Sequence, residues 1–448
     1  MNKYGQEEIG NLTKVIESGN FADHQGGFMD QLRRDFAAAT GAKHAITGAT
    51  AMLLMQTIPG AIGAGAGDEI ICDPVVQFHG IACLHNQVIP VWADVRPDDF
   101  LMDADKVQAL ITPRTKAIWV THLWGFPAEV DKLLDICNRH GIYLLEDCAH
   151  GCLGEYRGKK LGTWGHVGTF SFNMGKQLAT GEGGIAITNN DKLAFEINRR
   201  IIFGESPEVL SSNYRMTEFQ AAVAVPQLKK VPEYLEEYRK SKKILDDAIA
   251  ECDWLQPRKA IAGSTVLAPY FWSCLFHGER KGIQYNVFKA ALRQAGAPFG
   301  TGFLQVPAYL YNLFRNPNAS GDKGKVDWKA GLCPVAEDVI PRIVSTNNMV
   351  WIDKAAEAAR ALKAAIILTE SGQVAPLAYS ELDNKVLDTV RKFGPLEPNE
   401  LIEIFDDNEW EHLDEHRAFR LMEDLRDRTP YKLSHAGPRK FAYHDLSN

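Results

Sequence analysis

The sequence predicts an α/β protein built on a mostly parallel sheet, and two observations carry that prediction. Short apolar runs alternate with helical patterns through the first half of the 448-residue chain. The runs "EIICD" (69–73), "VIPVWADV" (88–95), "AIWVTHLWG" (117–125) and "IYLLEDCAHG" (142–151) read as strands. Between the last two lies "PAEVDKLLDICNRHG", in which Val130, Leu133, Leu134 and Cys137 fall on one helical face and Gly141 supplies a stop. A strand–helix–strand unit of this kind implies parallel strands.

The remaining elements follow in order. "FMDQLRRDFAAATG" carries Phe28, Leu32 and Phe36 at helical spacing and closes at Gly41. "GTFSF" and "GGIAIT" frame a Gly- and Thr-rich turn as two further strands. From about residue 228 "LKKVPEYLEEYRKSKKILDDAIAECDW" reads as a long charged amphipathic helix of the kind that bridges domains. A second α+β segment follows to about residue 368. "LTESGQVAPLAYSELD" (368–383) is linker-like. "NKVLDTVRKFGPL", "EPNELIEIFDDNEW" and "DEHRAFRLMEDLRDR" then predict three helices, and "YKLSHAGPRKFAYHDL" a two-stranded wing. The expected domains are 15–230, 231–368 and a winged-helix-like 375–448.

Composition narrows the function. At 45% hydrophobic and 24% charged the chain can fill a large core. A net charge of −8 argues against nucleic acid as the main partner. "MNKYGQEEIGNLTK" lacks the apolar segment of a secretory signal, and no apolar run approaches 18 residues, so neither export nor membrane insertion is expected. The eight cysteines form no disulfide framework, which fits a reducing cytoplasm. "CAHGC" (148–152) lacks a second ligand pair at zinc-finger spacing, so no metal is expected.

One lysine stands out. Lys176 lies in the turn "NMGKQLATGEGG", between two apolar strands, where a solvated lysine needs no such frame. Asp147 ends a strand too apolar to need a carboxylate for packing; it either caps the following loop or faces a cationic nitrogen. "TGATAML" (47–53) brings Gly48 and Ala49 close to a helix start beside the Thr50 hydroxyl, and Ser171 adds another hydroxyl. Pyridoxal phosphate (PLP) requires this set: a lysine amine, a carboxylate for its protonated ring nitrogen, and N–H and hydroxyl groups around its phosphate.

"EDCAHGCLGEYRGKKLGTWGHVGTFSFNMGKQLATGEGGIAIT" resembles the core of the DegT/DnrJ/EryC1/StrS aminotransferases, whose pattern runs E-D-x-A-H/Q, G-x-x-G, F-S-F-x-x-x-K-x-x-x-x-G-E-G-G. "GDEIICDP", "TPRTKAIWVTHLWGFPAEVD", "SSNYRMTEFQAAVA" and "FLQVPAYLYNLF" extend the resemblance over about residues 15–365. It implies a fold-type I PLP aminotransferase with helices on both faces of the sheet and a smaller α+β domain. It implies that Lys176 carries the cofactor as a Schiff base and moves protons, that Asp147 pairs with the ring nitrogen, and that His150 lies by the ring. Ala49, Thr50 and Ser171 would hold the phosphate. Asn213 would reach the phosphate of a neighbouring subunit, giving a homodimer with shared sites, while Tyr214 and Arg215 would shape the substrate pocket. For Glu182, in the G-E-G-G turn, a structural role is at least as well supported as a catalytic one.

The chain departs from that pattern in places. "GAT" replaces S-G-T. "CDPVVQFHG" replaces the usual P-x-x-T-F/W, leaving Gln77, Phe78 and His79 as candidates to stack on the ring; Phe78 is taken here. "VPAYL" lacks the usual histidine, and Tyr309 lies nearby as a substrate contact. "FGE" puts Phe203 where H-G is usual. The expected reaction moves an amino group from glutamate or glutamine to a keto group of a sugar, a cyclitol or a related polyhydroxylated compound. One alternative is a PLP-dependent sugar dehydratase, a branch in which histidine replaces the lysine. The other is a PLP-sensing regulator that binds DNA through its tail, against which the tail's acidic excess and its position at the C-terminus both argue.

Overall fold

The computed structural model describes residues 3–204, 207–301, 306–315, 328–346 and 352–374, and beyond them Val386, Thr389, 433–437 and 440–443. The chain forms two compact units. The first comprises the residues up to 244 together with 258–273 and 301–355; the second comprises 245–257, 274–300 and the described residues from 356 onward.

The first unit opens with helices α1 (Gln6–Ser18) and α2 (Phe28–Thr40). As expected, α2 stops at Gly41, whose φ of 78° suits glycine. Its start is capped from far away in sequence. Gly27 offers no side chain, and the Glu218 carboxylate accepts the N–H groups of Phe28 and Met29 at 2.6 and 2.9 Å.

Strand β1 (His44–Gly48) leads into α3 (Ala51–Ala61), β2 (Glu69–Cys72), α4 (Phe78–His85), β3 (Ile89–Trp92), the short α5 (Ala104–Val107) and β4 (Thr115–Thr121). Then come α6 (Val130–His140), β5 (Tyr143–Asp147), the short strands β6 (Glu155–Tyr156) and β7 (Lys159–Lys160), β8 (Val167–Ser171), β9 (Gly184–Thr188) and α7 (Asp191–Ile201). Gly141 ends α6 with φ 64° and donates its N–H to Cys137 O, as its position predicted. Every strand read from the apolar runs is present.

These strands build a seven-stranded sheet in the order β1-β9-β8-β5-β4-β2-β3. The neighbours from β8 across to β3 pair in parallel, and β9 runs antiparallel to both β1 and β8. Strands β2, β4, β5 and β9 are almost wholly buried, which explains their near-continuous apolar composition. Phe36 of α2 meets Phe170 of β8 edge-on at 5.0 Å between ring centroids, and each such ring stabilises the fold by about 2–3 kcal/mol through burial.

Helix α8 spans Glu218–Ala248. It starts well before residue 228, because Ala221, Ala222, Ala224 and Val225 are buried and extend the helix backwards from its charged part. Strand β10 (Leu255–Pro257) belongs to the second unit, β11 (Ser264–Val266) returns to the first and pairs with β6, and β12 (Ser273–Phe276) pairs antiparallel with β10. In the second unit Trp254 packs edge-on against Phe276 and Phe288. At the position read as a wing, Leu433–Gly437 and Lys440–Tyr443 form an antiparallel hairpin. Of the three helices expected before it, only Val386 and Thr389, both helical and buried, are among the described residues. No described helix is long and apolar enough to cross a membrane.

Candidate active site

The site grows out of the strand ends of the first unit, where open α/β sheets place ligands. Thr121, Asp147 and Thr169 are register partners across β4, β5 and β8. Gly48, Gly184 and Ser171 are aligned in the same way across β1, β9 and β8. The sheet therefore sets Asp147 two residues below the level of Ser171 and lines Ser171 up with the start of α3.

Lys176 is 8% exposed in the turn after β8. Its Nζ lies 4.1 Å from the centroid of the Tyr270 ring. Burial lowers its pKa to about 8, while the charge of Asp147 works in the opposite direction. The loop is firmly laced. Lys176 N–H donates to Asn173 O, Thr180 N–H to Phe172 O, and the Gln177 side-chain amide donates to His150 O at 2.8 Å and to Ala268 O at 2.9 Å. Lys3 donates from its ammonium to Lys176 O. Glu182 accepts from Asn173 at 2.9 Å and so braces this turn.

Asp147 is buried. Its Oδ1 accepts the Ala149 N–H at 2.9 Å. Its Oδ2 accepts no hydrogen bond among the described residues, and His79 Nε2 lies 3.8 Å from it. Burial raises its pKa, against the Ala149 hydrogen bond and the positive charge of Lys176. A carboxylate with one oxygen unengaged suits a cationic N–H donor such as a protonated pyridine, so this side of the site fits PLP.

The phosphate side fits as well. Thr50 caps α3, its Oγ1 accepting Leu53 N–H at 3.1 Å. The first N–H groups of α3 have no partners within the helix and carry its positive dipole end. Gly184 has no side chain for a concrete reason: a Cβ there would lie 2.4 Å from Ala51 N. Ser171 Oγ takes only a long 3.3 Å bond, from Asn173 N–H. Ala49, in contrast, spends its N–H on Tyr214 O at 2.7 Å. It therefore has no free donor, and the open N–H groups lie two residues further on, from Ala51.

His150 is buried, accepts Trp124 N–H at its Nδ1 and stacks on Tyr270 at 4.6 Å. Burial pushes it far below the ordinary histidine range, with the charges of Lys176 and Arg258 adding to the effect. The three candidates for the ring face separate clearly. Gln77 precedes α4, Phe78 opens it half-buried, and His79 is fully buried with its Nε2 2.6 Å from Thr121 Oγ1.

Not every expected residue joins this cluster. Asn213 and Arg215 are exposed and bond one another at 2.9 Å; among the described residues no hydrogen bond or ion pair joins them to Lys176 or Asp147. The Arg215 guanidinium also lies 5.2 Å from the centre of the Phe203 ring. Tyr214 reaches Gln56 of α3 with its hydroxyl at 3.3 Å. Tyr309 is fully buried; its hydroxyl donates to Glu337 and accepts Cys333 N–H at 3.1 Å, so its polar atom is spent inside the protein. His122, Glu146 and Cys148 lie close together. However, His122 accepts Ala128 N–H and donates to Glu146, and Glu146 takes the N–H groups of Gly162 and Gly165. These groups brace the loop around residue 162.

Tyr270, Gln177 and Trp124 were absent from the sequence reading. Trp124 has φ 53°, uncommon for a large residue, and this places its N–H on His150. Only the adjacency of Gln177 to the lysine could have flagged any of the three.

A mostly parallel sheet with a buried lysine and carboxylate at its strand ends fits a fold-type I PLP enzyme. The DegT/DnrJ/EryC1/StrS aminotransferase family model matches residues 2–355. An L-glutamine:2-deoxy-scyllo-inosose aminotransferase from Streptoalloteichus tenebrarius is 34% identical over 284 residues, 58% of this chain and 67% of the relative. A GDP-perosamine synthase from Caulobacter vibrioides is 38% identical over 222 residues, 47% of this chain and 58% of the relative. Among solved structures, an E. coli GDP-4-keto-6-deoxy-D-mannose-3-dehydratase with bound hydrated PLP aligns at a TM-score of 0.71 and 20% identity, covering 81% of this chain and 98% of that one. The chain belongs to the DegT/DnrJ/EryC1/StrS aminotransferase family, a family of PLP-dependent enzymes.

Proposed function

We propose that the protein is a cytoplasmic PLP-dependent transaminase that moves an amino group from glutamine or glutamate to a keto group of a cyclitol or sugar. The observation that carries this reading is the intact Lys176, its amine buried and its pKa lowered to about 8. That lysine favours amino transfer over the dehydratase alternative, which resembles this fold but does not use a lysine. PLP, when bound, supplies an electron sink for the electron pair left when a C–H bond beside nitrogen breaks. Lys176 Nζ takes that proton and returns it at a different carbon, a task suited to an amine poised near neutral pH. Asp147, with Oδ2 unengaged, would pair with the ring nitrogen and keep it protonated. Thr50, Ser171 and the first N–H groups of α3 hold the phosphate. Phe78 would cover a face of the bound ring, His150 and Tyr270 would wall the site, and Tyr309 would support it through packing. The purified protein assayed with glutamine, glutamate, 2-deoxy-scyllo-inosose and a nucleotide-linked 4-keto sugar should aminate one acceptor class. Release of water from a 3-hydroxyl, with no amine incorporated, would favour the dehydratase.

The exposed Asn213 and Arg215 support a dimer in which they serve the partner's site together with Tyr214. Lys176→Ala and Asn213→Ala subunits, each inactive alone, should regain about a quarter of wild-type turnover when mixed in equal amounts. In a mixed dimer one site receives both intact groups. No recovery under demonstrated subunit exchange would place each site within one chain. The region from about residue 375 is read as a small winged-helix-like appendage that tunes substrate access.

A further inference from the structure

His79 stands beside Asp147. It is the second residue of α4 and fully buried. Its Nε2 lies 2.6 Å from Thr121 Oγ1, 3.8 Å from Asp147 Oδ2 and 3.9 Å from Asp73 Oδ2. Asp73 is buried as well and accepts the Thr121 N–H at 2.8 Å. The Trp119 ring lies beside the imidazole at 5.8 Å between centroids. At the far edge of the imidazole, Nδ1 is buried with no hydrogen-bond partner among the described residues. Thr121 and Asp147 are register partners on adjacent strands, so the sheet and the start of α4 fix this arrangement.

Burial keeps the imidazole neutral, lowering its pKa to about 3, so the ring carries a single N–H. Two carboxyl groups and a hydroxyl lie near Nε2, and no hydrogen-bond partner among the described residues meets Nδ1. With its hydrogen on Nε2, the ring turns the positive end of the N–H dipole toward both carboxylates. The other tautomer would turn a lone pair on them. Leaving Nδ1 unsatisfied is a cost that an apolar side chain at this position would avoid.

We propose that His79, held by Thr121, which Asp73 holds in turn, is a positioning residue for Asp147. The dipole of its Nε2–H, 3.8 Å from Oδ2, steadies the ionised form, so that Oδ2 remains an acceptor for a cationic ring nitrogen. This inference rests on the PLP reading given above. Without the imidazole, burial carries Asp147 toward the neutral acid, which cannot pair with such a nitrogen.

The test compares the affinity of the cofactor-free protein for PLP with its affinity for a carbocyclic analogue that has C–H in place of the ring nitrogen and the same phosphate. His79→Phe should weaken PLP binding about 10-fold or more and change analogue binding less than about 2-fold. His79→Gln, whose amide nitrogen reaches the Nε2 position, should recover most of the loss; His79→Asn, which reaches only Nδ1, should not. Equal losses for the two ligands, no loss for either, or a glutamine variant no better than asparagine would overturn the proposal. Should His79→Phe fail to fold, Thr121→Val removes the hydroxyl that orients the imidazole, and the same selective loss is expected. A wild-type protein that binds neither ligand would refute the PLP reading itself. A wild type that binds PLP, with variants that do not discriminate, would refute only the role of His79.

Discussion

Replacing Lys176 with alanine abolishes amino transfer, lowering turnover by at least about 10⁴-fold, because the same amine anchors the cofactor and moves the proton. The fold survives. The folded protein holds this amine at about 8 against an ordinary value of 10.5. Below pH 8 the wild type therefore keeps a charged ammonium in a buried place, a cost that the unfolded chain does not bear. Between about pH 8 and 10.5 the unfolded chain binds more protons than the folded one, so wild-type stability rises with pH. The cofactor-free Lys176→Ala protein should accordingly melt higher than the cofactor-free wild type at pH 7, and the gap should narrow as pH rises above 8. Scanning calorimetry at pH 7, 8.5 and 10 reads this directly. A gap that is constant with pH would mean that the buried amine is not the group responsible.

The second large effect belongs to Asp147. Asp147→Asn keeps the shape and removes the charge, so the ring nitrogen loses the partner that holds its proton, and turnover should fall about 10³-fold. The substitution also acts on the lysine. The Asp147 charge raises the Lys176 pKa against burial, so the asparagine variant should deprotonate Lys176 below pH 8. The pH dependence of amine acylation at Lys176 in the cofactor-free protein measures that change. Near-normal turnover in the variant would place the nitrogen's partner elsewhere.

Much of the candidate site was legible because its chemistry is local. Asp147 sits at the end of its own apolar strand, and Lys176 lies between two strands whose composition marks them as buried. Thr50 and Ser171 could be read for the same reason, since each lies at a strand end or helix start visible in a few residues. Contacts that join distant segments were not legible. Tyr270 reaches the lysine only because residues 258–273 return to the first unit. Ala49 loses its N–H to Tyr214, and Glu218 caps α2, through pairings that no short window contains. The choice among Gln77, Phe78 and His79 was undecidable by counting. At a helix start successive side chains point about 100° apart, so one residue decides between a half-exposed Phe78 and a wholly buried His79.

The central claim is that Lys176 is the residue that bonds the cofactor. The most direct measurement is to load the wild-type protein with PLP, reduce it with borohydride, digest it and locate the phosphopyridoxyl mass. The account predicts a yellow protein whose visible absorption is bleached on reduction, with the label on Lys176 alone and absent from Lys176→Ala. A label on another lysine, or a wild type that takes up no label with excess PLP, would contradict it.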